Sequence, residues 1–464
     1  MCGVFGIRSP QRDVARIAYF GLLALQHRGQ ESAGIAVSDD GRLTVLRDMG
    51  LVSQVFDEQN LSGLHGDTAI GHTRYSTTGS THWANAQPLL HHGAARTVAL
   101  GHNGNLTNAS ALRAQLAEEG IKLSSTSDSE LIAALISNEP ASLENAVAGA
   151  MRRLEGAYSI VGLSEGTLVA FRDPLGFRPL VLGRLDGEWV VASESCALDL
   201  VGAVFEREVT PGEIVLIDAD GLRSVQAVEP AEHGALCIFE FFYLARPDTR
   251  LEGVEVHAAR VRMGERLAAE APVDADLVLP IPESGTPAAI GFARASGIPF
   301  SEGLIKNRYV GRTFIQPEQG LREQGAKLKY NPLGEVAGKR VVVVDDSIVR
   351  GNTTRQIVQL LFDVGASEVH MRVSSPPVIG QCFYGIDLAD PEEMIASNKT
   401  VEEIREHIGA TSLAYISLEG LQASTRRPES QFCRACLTRD YPTAIPREAA
   451  KLQFEVPLDV VAPV

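Results

Sequence analysis

No apolar run in this chain approaches the ~20 residues that a membrane-spanning helix needs. The most apolar stretches, such as Val341 to Val344, end after a few positions. The N-terminus lacks a basic segment followed by a long apolar one, which excludes the usual secretory signal and predicts a cytoplasmic protein. Positive charge is short: 42 Lys and Arg face 58 Asp and Glu, a formal net charge of −16 at pH 7. Nucleic-acid binders neutralise phosphates with clustered Lys and Arg, so this balance argues against one. Small anionic substrates stay open, because they need only a local pocket. Cysteine is sparse, with six in 464 residues. In a reducing compartment such cysteines are more often catalytic, metal-binding or inert than disulfide-bonded. Repeats at solenoid periods and low-complexity segments are also missing.

What is present is an ordinary globular composition, 45% apolar and 22% charged, long enough for two or three domains with real cores. The first part, residues 2–230, opens with a strand-like run from Val4 to Ile7. A helical stripe follows at Val14, Ile17, Ala18, Gly21, Leu22 and Leu25. Then come short runs separated by Gly, Asn and Asp, among them "TAIGHTRYST", "TVALGHNGN", "AYSIVGL", "TLVAFRDP" and "PLVLGRLDGEWVVASES". These predict antiparallel sheets, with helices at "ASALRAQLAEEG" and "SDSELIAALISN". In the second part, residues 231–423, strands and helices alternate. Four consecutive valines predict a strand buried on both faces of a parallel sheet. In the helix after it, Ile357, Leu360, Leu361 and Val364 share a face. Residues 424–464 read as a tail carrying Cys433 and Cys436.

The clearest chemistry lies in "VVVVDDSIVRGNTT". A buried strand delivers Asp345, Asp346 and Ser347 into a loop, then Gly351, Asn352, Thr353 and Thr354 open a helix. Gly351 permits close backbone approach, and the Thr hydroxyls with free N–H groups at the helix start can cradle a phosphate. The two carboxylates suit sugar hydroxyls or Mg²⁺. This loop resembles the ribose-phosphate loop of type I phosphoribosyltransferases, in the variant found in amidophosphoribosyltransferases. Asn352 stands where many members carry Thr, a swap that keeps a small polar residue.

The resemblance extends over nearly the whole chain. "CIFEFFYLARPD", "PIPESGTPAAIGFA" and "GLIKNRYVGRTFIQPEQGLREQGAKLK" follow the family's transferase half. It implies that Ser284, Asp345 and Asp346 coordinate one Mg²⁺. It also implies that Lys306, Arg308 and Arg312 face the pyrophosphate of phosphoribosylpyrophosphate. The first part resembles the class II, N-terminal-nucleophile glutaminases through "LQHRGQESAGIAV", "GHTRYSTTGS", "NAQPL" and "GHNGNLTN". The fold implied is an αββα sandwich (α+β) followed by an α/β parallel-sheet phosphoribosyltransferase domain. Removal of Met1 would leave Cys2 with its thiol and a free α-amine, whose ordinary pKa near ~8 suits a proton shuttle. The resemblance implies Arg74 on the glutamine α-carboxylate, Asp128 on its ammonium, Asn103 and the Gly104 N–H as oxyanion hole, and Arg28 in support. His27, His72 and His102 read as structural, although a Cys–His pair is the bottom-up rival.

By spacing alone "FCRAC" is compatible with zinc, iron–sulfur or redox chemistry. The family resemblance implies a [4Fe–4S] cluster on Cys237, Cys382, Cys433 and Cys436, while Cys196 reads as a buried inert thiol. Members of that branch often carry a short segment before the nucleophile, whereas only Met1 precedes it in this sequence. The implied reaction joins glutamine nitrogen to phosphoribosylpyrophosphate, giving 5-phosphoribosylamine, glutamate and pyrophosphate at the start of purine synthesis. An ammonia channel, inhibition by purine nucleotides and a homotetramer are further implications. Other class II amidotransferases would not need the ribose-phosphate loop. A phosphoribosylpyrophosphate-binding regulator would not need Cys2, Arg74, Asn103 and Asp128 together.

Overall fold

The computed structural model describes residues 1–76, 79–307, 329–388 and 390–445. Strand Gly3–Arg8 sits in the middle of a seven-stranded antiparallel sheet. It pairs with Thr68–Arg74 on one side and Glu188–Ala192 on the other. A six-stranded antiparallel sheet lies against it, with Gly156–Ser164 at its centre and Thr97–Leu106 beside that strand. Val4, Ile70, Ala99, Val161, Leu168 and Val191 fill the space between the sheets. Because successive side chains on a strand point to opposite faces, Phe5 and Ile7 face the other way. There they meet the helix Val14–Ala24 through Ala15, Ala18 and Leu22. Asp13 caps that helix by accepting from the Arg16 N–H. Helices Ala109–Glu118, Asp128–Asn138 and Leu143–Met151 cover the outer face of the second sheet. The result is the expected αββα sandwich.

Two hairpins go beyond the strands that the sequence predicts: Ser32–Asp39 with Arg42–Met49, and Glu213–Asp218 with Gly221–Gln226. The first turns on Asp40-Gly41, the short-range hairpin signal that could have revealed it, while the second turns on Ala219-Asp220 with Gly221 opening the return strand.

The second half holds a parallel sheet in the order Leu277–Pro280, Arg340–Asp345, Glu368–Val373, Ser412–Tyr415. The four valines alternate faces. Val342 and Val344 enter a core with the helices Val256–Glu270 and Thr286–Ser296, while Val341 and Val343 enter one with Asn352–Asp363 and Val401–Ile408. All four are fully buried, and each contributes about 1.5–3 kcal/mol by burial. On the helix Asn352–Asp363 the buried face is Thr354, Ile357, Val358, Leu360 and Leu361. Val364 is its C-cap and only half-buried, because the helix ends there.

The tail expected to begin at residue 424 is not a separate unit. That boundary falls inside the helix Leu418–Thr425, which packs on Val256–Glu270. Strand Phe432–Cys433 then pairs in parallel with Leu236–Cys237 at the start of the transferase half. Among the described residues no helix is long and apolar enough to cross a membrane.

Candidate active sites

The register that sets Gly3 opposite Thr73 brings Cys2 beside Arg74. The Cys2 N–H donates to Asn103 Oδ1 at 3.3 Å, and its thiol lies 3.6 Å from the Tyr75 carbonyl. Asn103 is fully buried, and its Nδ2 has no hydrogen-bond partner. A buried amide donor left unpaired is costly, so a side chain held this way points to an acceptor that arrives later. Gly104 follows on the same strand. A Cβ there would lie 2.0 Å from the Ala157 carbonyl oxygen, so only glycine fits.

Arg74 is buried, donates to the Ser80 carbonyl at 3.1 Å and lies 3.6 Å from Glu31. Asp128 accepts from the Leu106 N–H at 3.0 Å and lies 3.7 Å from His102 Nδ1. Burial pushes its carboxyl up, but His102, the Leu106 N–H and Arg74 outweigh that and hold it below the usual carboxylate range. Burial pushes the Cys2 thiol up, with the neighbouring α-amine and Arg74 opposing. The buried amine of Met1 is pulled down to about 5, chiefly by desolvation. The Met1 amine is thus a free base at neutral pH.

The three histidines are occupied away from the thiol. His27 Nε2 lies 2.7 Å from Glu194, His72 Nε2 lies 3.1 Å from the His102 carbonyl, and His102 Nδ1 lies 3.1 Å from the Ser129 hydroxyl. Desolvation drives His72 down to about 3, so it stays neutral.

Arg28 reaches Cys2 from the other side, its Nε donating to the Cys2 carbonyl at 3.0 Å. Glu194 and Glu240 both bind its guanidinium, and Arg178 joins Glu240 at 3.4 Å. All four side chains are fully buried. Glu194, Glu240 and Arg178 are site residues that the sequence reading missed. The signal was available for Glu240, an acid inside the apolar run "CIFEFFYL", since acids are almost never buried without a partner.

In the transferase half Asp345 and Asp346 end the valine strand and are both buried. The Ser347 hydroxyl donates to Asp346 at 2.6 Å, and the Ser284 hydroxyl also bonds that carboxylate. Desolvation and the neighbouring Asp346 raise the Asp345 carboxyl well above its ordinary range, and desolvation raises Asp346 too. Gly351 adopts φ +78°, a left-handed conformation that favours glycine, and starts the helix on which Asn352 and Thr353 are exposed. Lys306 ends strand Leu304–Lys306 opposite Tyr330 and does not itself line the cavity. Arg308 and Arg312 lie outside the described residues.

A cavity of about 790 Å³ opens at the acidic loop and extends to residues beside the glutaminase site. Met1, His27, Arg28 and Tyr75 line one end, and Ser284 with residues 345–354 line the other. Segment 382–388 bridges the halves. Asn105 Nδ2 donates to the Phe383 carbonyl at 3.0 Å, and Arg178 donates to the Tyr384 carbonyl at 2.6 and 3.0 Å. Gly385 abuts Gly104 so closely that a Cβ on it would meet the Gly104 carbonyl carbon at 2.9 Å.

The same segment carries Cys382, whose sulfur accepts from the Tyr384 and Ile386 N–H groups at 3.4 Å. Cys237 stands in register with Cys433, and charge on Cys237, Cys382 and Cys433 is felt at Cys436. Desolvation raises Cys237 to about 11 and Cys436 well above the ordinary thiol value. Among the described residues no three His, Cys, Asp or Glu side chains form a site for a single metal ion. Cys196 is buried apart, 3.7 Å from Glu194, and burial with that carboxylate pushes its thiol up.

Residues 72–200 match the glutamine amidotransferase domain family and residues 255–375 the phosphoribosyl transferase domain family. The amidophosphoribosyltransferase of Mycobacterium tuberculosis (strain ATCC 25618 / H37Rv) is 54% identical over 463 residues, covering 97% of this chain and 88% of that one. This chain belongs to the amidophosphoribosyltransferases. Two solved structures extend the likeness to three dimensions. The glutamine phosphoribosylpyrophosphate amidotransferase from B. subtilis complexed with ADP and GMP gives a TM-score of 0.90 at 46% identity, over 97% of this chain and 99% of that one. A structure described as the allosteric regulatory enzyme of purine biosynthesis gives 0.92 at 45% identity, over 99% and 100%. An amidophosphoribosyltransferase makes 5-phosphoribosylamine, glutamate and pyrophosphate from phosphoribosylpyrophosphate, glutamine and water, the first step of purine biosynthesis, and the family uses Mg²⁺.

Proposed function

We propose that Cys2, after Met1 is removed, is the glutaminase nucleophile and that its own α-amine takes the thiol proton. The unpartnered Asn103 Nδ2 beside it carries this reading. That donor and the Gly104 N–H receive the oxyanion formed when sulfur attacks the glutamine carbonyl. The amine then returns its proton to the leaving nitrogen, and water hydrolyses the thioester. Arg74 forks onto the substrate carboxylate, Asp128 binds its ammonium, and Arg28 holds the Cys2 carbonyl. Ammonia crosses the joint cavity to C1 of the ribose and displaces pyrophosphate.

Thr353, Thr354, Gly351 and Asn352 hold the 5-phosphate at the helix start, with Ser347 beside them. Lys306 and Arg308 are assigned to the pyrophosphate. Asp345, Asp346 and Ser284 fit Mg²⁺, because two adjacent buried carboxylates with a hydroxyl beside them are the hard oxygen donors it takes. When bound, Mg²⁺ supplies charge neutralisation at the pyrophosphate. Mixing glutamine with phosphoribosylpyrophosphate should release glutamate and pyrophosphate. Cys2→Ala should abolish the glutamine reaction and keep the ammonia reaction. Retention of glutamine-dependent activity by Cys2→Ala would overturn the assignment.

Cys237, Cys382, Cys433 and Cys436 are assigned to one [4Fe–4S] cluster per chain. Four thiols share one electrostatic environment, backbone N–H groups donate to one sulfur, and Arg178 favours charge on Cys237 and Cys433. When bound, the cluster supplies a four-armed tie between the transferase strands and the tail. Protein purified without oxygen should be brown, with about four iron and four sulfide per chain. Colourless protein holding zinc would refute it. We further assign residues 2–230 to the glutaminase and 231–464 to the transferase with its tail, a cytoplasmic location, a homotetramer and inhibition by purine nucleotides. Light scattering and inhibition assays test the last two.

A further inference from the structure

We propose that Glu240, contributed by the transferase half, is a positioning residue of the glutaminase, acting on Cys2 through Arg28. The inference rests on the reading of Cys2 as nucleophile. Glu240 grips the Arg28 guanidinium with both oxygens: Nη2 donates to Oε1 at 2.7 Å and Nη1 to Oε2 at 3.1 Å. Such a bidentate fork fixes the plane of the guanidinium as well as its position. Glu194 takes Nη1 from the glutaminase side. With its outer nitrogens held, Arg28 presents Nε to the Cys2 carbonyl at 3.0 Å. That carbonyl belongs to the peptide joining Cys2 to Gly3. Fixing it sets the direction in which the Cys2 Cα carries its sulfur, which lies at the Tyr75 carbonyl, while the Cys2 N–H meets Asn103.

The chain of contacts crosses from one half to the other in two steps and involves no exposed group. Glu240 opens the helical turn Glu240–Leu244, whose Tyr243 and Leu244 line the joint cavity near the acidic loop. Its own side chain is turned away from the cavity toward Arg28 and Arg178. The rival role is charge balance alone, since two arginines meet two glutamates here. Charge balance would stabilise the fold and affect both half-reactions together. Positioning affects the glutaminase turnover alone.

The test compares Glu240→Gln, Glu240→Asp and Cys2→Ala in the full-length protein. Glutamine hydrolysis and ammonia-dependent pyrophosphate release are measured side by side. Gln keeps the shape but offers one acceptor in place of two, so the fork is lost. The expected result is a fall in glutamine kcat of about 10²-fold, as for an ångström-scale misplacement, with KM for glutamine and the ammonia reaction each within about twofold. Glu240→Asp keeps the charge and shortens the reach, so it should fall in the same sense by less. It also reads the same split if Glu240→Gln does not fold. Equal loss of both reactions, a rise in KM at unchanged kcat, or no change while Cys2→Ala is inactive would each overturn the proposal. Glutamine hydrolysis surviving in Cys2→Ala would instead overturn the nucleophile assignment beneath it.

Discussion

Asn103→Ala separates function from stability at one buried side chain. Asn103 Nδ2 is unpartnered, and a buried orphan donor costs about 1–3 kcal/mol. Its Oδ1 accepts one bond, from the Cys2 N–H at 3.3 Å, a contact contributing about 0.5–1.5 kcal/mol. Truncation relieves the first cost and forfeits the second. The vacated amide is roughly the size of a water, which can bond the Cys2 nitrogen instead. The two terms nearly cancel, so the thermal midpoint should move by less than about 4 °C, the shift expected for 1 kcal/mol in domains of this size. Catalysis should respond very differently. Removing one oxyanion donor costs about 2.7–4 kcal/mol, or 10²–10³ in kcat. Glutamate release should fall by that factor while ammonia-dependent pyrophosphate release is retained. A drop in midpoint well beyond this range would mean that Asn103 is a structural amide. Equal loss of both activities would refute its placement in the glutaminase.

Asp346→Asn should abolish phosphoribosyl transfer from either nitrogen source by at least about 10²-fold, because one carboxylate for the cation is gone; activity with ammonia is the decisive readout. The acidic pair also predicts a pH effect. Both carboxyls titrate higher in the folded chain than the unfolded value of about 3.9, so their contribution is present below that value and is lost as pH rises through their raised folded pKa. Mg²⁺ binds the ionised pair, so it should raise the melting midpoint clearly at about pH 7.5 and much less at about pH 5. Equal shifts at the two pH values, measured by thermal melts, would refute this. Gly385→Ala places a Cβ 2.9 Å from the Gly104 carbonyl carbon at φ +102°, a strained conformation for alanine. It should lower glutamine kcat more than the ammonia reaction, and parallel loss would show a general folding defect.

The sequence made the local chemistry legible and left the junction hidden. The valine strand and its acidic loop were readable because a short apolar run, an Asp pair and a Gly–Thr helix start are adjacent along the chain. Cys2, Arg74, Asn103 and Asp128 were named through resemblance, since the strand registers that gather them leave no trace in composition. The Asp40-Gly41 hairpin was readable in principle and was missed among many similar turns. Three glutaminase-side details needed coordinates: the orphan Nδ2, the Gly104–Gly385 approach and the occupied histidines.

The hidden part has a common physical cause. Arg28 meets Glu194 across 166 residues and Glu240 across 212, and Arg178 meets the Tyr384 carbonyl across 206. No periodicity or spacing rule spans such distances. A buried arginine needs anionic partners, because removing one from a buried pair costs about 3–5 kcal/mol. Arg28 retains its positive charge against burial only through Glu240 and Glu194. The glutaminase half supplies Glu194 and the transferase half supplies Glu240, so neither half alone closes the charge set around the nucleophile's support. Separating the halves would strand Arg28 and Arg178 against Glu194 on one side and leave Glu240 uncompensated on the other. An isolated glutaminase half should therefore bind glutamine, through Arg74 and Asp128, better than it hydrolyses it.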